Sequence, residues 1–117
     1  MQIKIKVNKT ISKLSIIVLL SPIFCQVLIN EYSASNLSWY TDNYQLEEDW
    51  IELYNTGSTE EDIGGYFLSD DPDEPAKWMI PGGTVIPADG YLVFWCSGRD
   101  EYSDNNYHTN FKLKQSK

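Results

Sequence analysis

The chain has 117 residues, with 17 acidic side chains against 9 basic ones, which gives a formal charge of −8. The charges are unevenly placed, and the part from residue 26 onward carries 5 basic and 17 acidic residues, a formal charge of −12. A surface of that sign repels phosphate backbones and anionic lipid head groups, which argues against nucleic-acid and membrane-surface binding. The length excludes a TIM barrel, a kinase domain and a dinucleotide-binding domain joined to a substrate domain.

Residues 1–25 are predicted to be a secretory signal peptide. A lysine-bearing start precedes an apolar run over residues 14–24, which has the length of a signal-peptide core and is shorter than the roughly 20 apolar residues of a spanning helix. We expect cleavage after Cys25, which leaves Gln26 as the mature N-terminus and no membrane attachment. The alternatives are an uncleaved anchor, a buried strand, or a lipoprotein acylated at Cys25.

The two cysteines, Cys25 and Cys96, cannot build a disulfide framework. If Cys25 leaves with the leader, Cys96 is either a reactive or intermolecularly paired thiol, or a small apolar residue in a strand. No motif fixes the single histidine, His108, near Cys96, and this favours the second interpretation.

From Val27 onward, short β-prone runs alternate with turn-forming residues, and no stretch of ten residues keeps a helical apolar period. Six strands are predicted, at Val27–Tyr32, Trp50–Tyr54, Tyr66–Leu68, Trp78–Ile80, Thr84–Ile86 and Tyr91–Cys96. This spacing predicts an all-β sandwich over residues 26–117.

Alternation along the second run places Ile51 and Leu53 in the core and residues 50, 52 and 54 on the opposite face. The run Tyr91–Cys96 is apolar on both faces, which is typical of a central strand. In the turn before it, at residues 87–90, Pro87 sets a turn dihedral and Gly90 is expected to supply a positive φ.

Two less regular segments lie outside these strands. The polar segment Ser33–Glu48 is either a mobile loop or a surface insertion. The segment His108–Lys114 begins a further alternating run, and no closing strand follows it in the sequence. A sandwich without its last strands would expose an unpaired edge there, so we expect a C-terminally truncated domain, a fragment whose closing strands lie beyond Lys117.

Six segments resemble, in order, the lamin-tail domain family: Leu28–Tyr32, Asp49–Asn55, Asp62–Asp70, Lys77–Pro81, Gly83–Pro87 and Gly90–Val93. The resemblance covers most of residues 27–117 and implies an immunoglobulin-like β-sandwich. The stretches Phe94–Asp100 and His108–Lys112 are similar to the bacterial secreted branch, whose domains commonly sit beside CotH-type kinase-like or hydrolase domains.

The resemblance implies a non-catalytic interaction or accessory module of an exported protein, secreted or at the cell surface, whose partner is another protein or a surface or matrix component. The coiled-coil rod of a lamin is absent from the sequence, so filament and chromatin roles are not implied. The alternative is the N-terminal part of a larger secreted enzyme, with a CotH kinase-like or hydrolase domain beyond Lys117.

The acidic residues do not form a recognisable catalytic pair. Asp49 and Glu52 are three apart on a predicted strand, so their side chains face opposite ways and cannot flank one glycosidic bond. Asp42, Glu47 and Glu48 are predicted to form a solvated acidic surface. The sequence has no phosphate-binding loop, metalloprotease helix motif or nucleophile elbow, and we expect no catalytic residue, no metal and no cofactor.

The acidic turn at Asp70, Asp71, Asp73 and Glu74 is the best cation candidate, because Ca²⁺ prefers clustered oxygen ligands. It departs from an EF-hand loop, in which Ala76 would have to be glycine. We interpret it as an acidic turn that keeps the domain soluble, with weak Ca²⁺ binding as the alternative.

Several aromatic side chains suggest a carbohydrate site. Trp39, Tyr40 and Tyr44 could stack on sugar rings, whereas the three later tryptophans, at positions 50, 78 and 95, are predicted to be core or interface residues. The segment Asn36–Ser38 is a formal glycosylation sequon.

Overall fold

The structure, a computed structural model, describes residues 26–37 and 40–115, so the predicted leader, Cys25 and Trp39 lie outside the described residues. The described chain contains nine strands: β1 (Val27–Ser33), β2 (Trp50–Asn55), β3 (Glu61–Asp62), β4 (Phe67–Leu68), β5 (Trp78–Met79), β6 (Val85–Ile86), β7 (Tyr91–Trp95), β8 (Glu101–Ser103) and β9 (Asn106–His108). None of the described residues belongs to a helix that is long and apolar enough to cross a membrane.

The strands form one large sheet and two small ones. The large sheet has the order β1-β2-β7-β9-β8, with β7 and β9 parallel and the other neighbours antiparallel. The small sheets are the antiparallel pairs β3-β6 and β4-β5. The strand rich in apolar residues on both faces, β7, is the centre of the large sheet, as its sequence predicts.

The core lies between the large sheet and the two small ones. Ile51 and Leu53, exposed by only 6% and 5%, point from β2 into this core, which confirms the faces predicted from the alternation. Phe94 on β7 meets Trp78 on β5 edge-on, with 5.9 Å between the ring centres. Because strands of both layers contribute buried side chains to one cluster, the described chain is a two-layer all-β sandwich.

The strand predicted to begin at His108 is not observed. His108 does not begin an edge strand but ends β9, which is paired on both sides, and residues 109–115 contain no strand. The chain reverses at Asp104 and Asn105, where positive φ angles of 47° and 61° form the turn between β8 and β9. Asp and Asn tolerate this left-handed conformation better than most residues. The unpaired edge expected at residues 108–114 is therefore absent, and Phe111 is buried there.

The turn before β7 differs from its prediction in one detail. The positive φ lies at Asp89 (52°) rather than at Gly90. Gly90 is required for a different reason, because a Cβ atom at this position would lie 2.9 Å from the carbonyl oxygen of Pro87. The amide of Gly90 donates to that same oxygen at 3.0 Å, which closes the turn.

Candidate interaction site

An apolar groove of about 510 Å³ lies between β1 of the large sheet and β4 of a small sheet. Its buried lining consists of core side chains: Leu53, Ile63, Leu68 and Ile80. Its exposed lining is also apolar, because Leu28, Ile29, Tyr66 and Phe67 are exposed by 42%, 59%, 64% and 50%. The groove is therefore an opening of the hydrophobic core to solvent.

A second pocket of about 230 Å³ continues this groove along β1. Ile29 lines both spaces, and the second one is also lined by Tyr32, Asp70 and Leu113. Tyr32 is 66% exposed, so exposed apolar side chains lie on β1 on both sides of the polar residues Asn30 and Glu31. The two pockets together form a trough beside one strand edge, which we call the β1 groove.

The strands on either side of the β1 groove each have a neighbour on one side only. Within the described residues, β1 pairs with β2 alone and β4 pairs with β5 alone. At one end of the groove, the side-chain amide of Gln26 donates to Glu61 Oε2 at 3.1 Å. The β1 groove thus combines apolar side chains with strand edges, the two features by which extended peptides are bound.

The opposite face of the large sheet is partly covered by the loop between β1 and β2. Asn36 organises this loop, because its buried side-chain amide donates to the carbonyl oxygens of Tyr40 and Glu48 at 2.7 and 3.0 Å. The formal sequon at Asn36 therefore has its acceptor amide engaged inside the fold. For the described residues of this segment, the hydrogen bonds of Asn36 favour a surface insertion over a mobile loop.

The prediction that the acidic residues of the loop form a solvated surface is wrong for Asp42. Its carboxylate is buried, with only 2% of the residue exposed, and Oδ1 accepts from the amides of Tyr44 and Leu46 at 2.8 and 2.9 Å. The residue closes a tight turn, a role that short acidic side chains often have. Glu47 is exposed as predicted, whereas Glu48 is half-buried and forms an ion pair with Lys112.

The loop tyrosines contact the domain rather than forming a free platform. Tyr40 packs against Trp95, with 4.9 Å between ring centres, and meets Trp50 edge-on. The guanidinium carbon of Arg99 lies over the ring of Tyr44, 4.5 Å from the ring centre. The hydroxyl of Tyr44 donates a hydrogen bond to Glu101 Oε1 at 2.6 Å. These contacts hold both tyrosines against the domain, and Tyr40 and Tyr44 are 46% and 44% exposed. The predicted burial of Trp78 and Trp95 is confirmed.

The structure brings together three polar residues that no sequence motif connects. The Ser97 hydroxyl lies 2.9 Å from His108 Nδ1, and Asn43 Oδ1 lies 2.7 Å from His108 Nε2. Burial lowers the pKa of His108, and the charges of Asp42 and Glu101 only partly oppose this effect. Ser97 is 5% exposed and His108 is fully buried, so a substrate carbonyl has no access to the hydroxyl.

Cys96 lies directly after β7 and is fully buried. Burial raises the pKa of its thiol to about 12. A thiol of that pKa is almost entirely protonated at neutral pH and is a poor nucleophile. The interpretation of Cys96 as a small apolar residue is therefore confirmed, although the strand itself ends at Trp95.

The carboxylates of the acidic turn form ion pairs with lysines of the same chain. Lys77 Nζ lies 2.7 Å from Asp70 Oδ1, and Lys114 Nζ lies 2.6 Å from Asp71 Oδ2. Burial raises the pKa of Asp70, but the hydrogen bond from Lys77 and the backbone amide of Lys114 outweigh it, and the pKa is lowered overall. The hydrogen bond from Lys114 likewise lowers the pKa of Asp71. Within the described ranges, no three His, Cys, Asp or Glu side chains are grouped so that they could hold a metal ion.

The exposed apolar residues Leu28, Ile29, Tyr66 and Phe67 lie in predicted strands, but the sequence does not predict that they share one surface. The neighbouring apolar pairs Leu28-Ile29 and Tyr66-Phe67 break the apolar–polar alternation of a half-buried strand. This break indicates exposed apolar residues, because a half-buried strand places adjacent residues on opposite faces and only one of the two faces is buried. It could not reveal that β1 and β4 face one common space.

The family model named Lamin Tail Domain matches residues 24–117. No curated protein and no solved structure matches the chain. The family is immunoglobulin-like and typically non-enzymatic, and the two-layer all-β arrangement described above agrees with that fold. The chain therefore belongs to the lamin-tail domain family, as an immunoglobulin-like β-sandwich.

Proposed function

We propose that this chain is a non-catalytic interaction module of an exported protein, secreted or at the cell surface. The observation that carries the proposal is the β1 groove, where core side chains are open to solvent beside exposed Ile29, Tyr66 and Phe67. Soluble domains seldom leave such a continuous apolar surface without a partner. The typically non-enzymatic character of the family supports the same proposal.

Export is supported by the sequence of residues 1–25, in which a lysine-bearing start precedes a short apolar run. The bacterial secreted branch is the proposed setting, because residues 94–100 and 108–112 resemble segments of that branch. The alternative, the leading part of a larger secreted enzyme, rests on the same resemblance. Intact-mass analysis of exported material tests the leader. A species beginning at Gln26 is expected, one beginning at Met1 would overturn removal of the leader, and a diacylglyceryl mass on Cys25 would indicate a lipoprotein.

The proposed partner is a protein or a surface or matrix component. A formal charge of −12 from residue 26 onward disfavours nucleic acids and anionic lipid surfaces. The test compares how much of the exported full chain is retained at the cell surface and how much enters the medium. We expect Ile29→Ser to release the chain and the matched change Leu46→Ser to leave its distribution unchanged. Both side chains are exposed, but Leu46 does not line the β1 groove. Equal retention of both variants would contradict the role of the groove.

The non-catalytic part of the proposal has a separate test at Ser97. An activated serine reacts covalently with fluorophosphonate probes, whereas a buried serine that only orients a histidine does not. We expect no labelling of the exported full chain. Labelling that disappears in Ser97→Ala and in His108→Gln would overturn the non-catalytic assignment.

A further inference from the structure

We infer that the β1 groove binds one extended strand of a partner polypeptide, in which apolar side chains alternate with basic or neutral ones. The inference rests on the proposed interaction function and specifies the chemistry of its partner.

The backbone edges favour an extended partner. In the described part of the chain, β1 from Leu28 onward and β4 each pair with one neighbour only. Strand edges carry N–H and C=O groups that a further strand can satisfy by adding to the sheet. A helix or a compact ligand would leave these groups to water. The edges therefore select an extended peptide backbone.

The lining favours alternating apolar side chains. A strand directs every second side chain to the same face, so one face of a bound strand would enter the groove and contact Ile29, Leu53 and Leu68. The space of about 510 Å³, with its continuation past Ile29, has room for several such side chains. The remaining side chains of the strand would face outward.

The charge around the groove favours basic or neutral residues at those outward positions. Glu61 lines one end of the groove and accepts a hydrogen bond from the neutral amide of Gln26, and Glu31 lies on exposed β1. Lys114, which lines the second pocket, forms an ion pair with Asp71 of the same chain. The surrounding domain is strongly acidic. Lysine or arginine on the outward face of a bound strand would therefore be attracted, whereas aspartate or glutamate would be repelled.

The same features disfavour a second copy of this chain as the occupant. β1 carries Glu31, and charged residues on edge strands suppress edge-to-edge pairing of identical chains. An antiparallel pair of two β1 edges would bring together two copies of Glu31 and two acidic domains. A distinct and less acidic polypeptide fits the groove better.

The test uses the exported full chain and three fluorescent heptapeptides at physiological ionic strength, with binding measured by fluorescence anisotropy. In the first peptide valine alternates with lysine, in the second valine alternates with glutamate, and the third is the first with a central proline. We expect the lysine peptide to bind at least about tenfold more tightly than the glutamate peptide. The proline peptide should bind weakly, because proline removes a donor and interrupts strand pairing. Hydrogen exchange should show new protection at amides of β1 and β4 when the lysine peptide is bound.

Variants locate the binding surface. Ile29→Ser and Phe67→Ser should each weaken binding of the lysine peptide by about tenfold or more, whereas Leu46→Ser should change it by less than about twofold. All three side chains are at least 43% exposed, so the variants are expected to fold, and their thermal unfolding is recorded alongside. Unchanged binding in both groove variants would overturn the inference.

Two further outcomes are informative. Dimer formation that protects β1 amides without peptide would overturn the inference in favour of a second copy. Ile29-dependent retention at the cell surface, together with no binding of any heptapeptide, would overturn strand recognition while leaving the proposed interaction function standing. Failure of the inference can thus be distinguished from failure of the proposed function.

Discussion

The Ser97 hydroxyl donates a hydrogen bond to Nδ1 of His108 across 2.9 Å inside the fold. The direction follows from the other ring nitrogen, because the oxygen of Asn43 can only accept and lies 2.7 Å from Nε2. Nε2 therefore carries the proton in the neutral ring. This pair joins the end of β7 to the end of β9 and buries a neutral histidine between them.

Acidification is expected to destabilise the domain through His108. Burial lowers the pKa of His108 below its usual value of 6.5, so the unfolded chain takes up the proton more readily than the folded one. Stability that is fully present above pH 6.5 is then lost as the pH falls through 6.5 toward the folded pKa. We expect the urea midpoint of unfolding to be lower at pH 5.5 than at pH 7.5. His108→Gln should reduce this difference, and an unchanged difference in the variant would contradict the assignment.

Removal of the Asn36 side chain is expected to loosen the loop between β1 and β2. Asn36→Ala leaves two carbonyl oxygens, those of Tyr40 and Glu48, without the amide that they now share. Hydrogen bonds of this kind contribute about 0.5–1.5 kcal/mol each to the free energy of unfolding. Urea unfolding measures this loss, with Leu37→Ala as the control because Leu37 is 87% exposed. Equal effects of the two changes would show that Asn36 does not organise the loop.

Calcium is not expected to bind the acidic turn tightly. A Ca²⁺ ion at Asp70 and Asp71 would have to displace the ammonium groups of Lys77 and Lys114, which lie 2.7 and 2.6 Å from the carboxylates. Isothermal titration calorimetry of the full chain should detect no micromolar site. Micromolar affinity that is abolished by Asp71→Ala would show that the turn is a cation site.

The thiol of Cys96 is expected to be unreactive in the folded protein. Its pKa of about 12 leaves little thiolate at pH 8, and the side chain is fully buried. Exported protein beginning at Gln26 should not react with Ellman's reagent at this pH until urea unfolds it, when one thiol per chain should appear. Rapid reaction of the folded protein would contradict the apolar role of Cys96.

Much of the strand content could be predicted because its signals are local. The period of two in Trp50–Asn55 identifies Ile51 and Leu53 as core residues from a few neighbouring positions. The hairpin of β8 and β9 was missed, although Asp104-Asn105 was a usable turn signal. Its strands have three residues each, too few for a clear alternation.

The fold class, the core face of β2, the central place of the apolar β7 and the family could all be predicted from residue types and their spacing. These features depend on residue types and spacings within short segments, which the chain carries before it folds. No local pattern predicts that Ser97, His108 and Asn43 meet, that Asn36 and Asp42 are buried, or that an open apolar surface lies between β1 and β4. Such features depend on which segments that are distant in the sequence become neighbours in the fold. They also depend on which strand edges are left without a neighbouring strand. That outcome is set by the packing of the whole domain rather than by any local pattern.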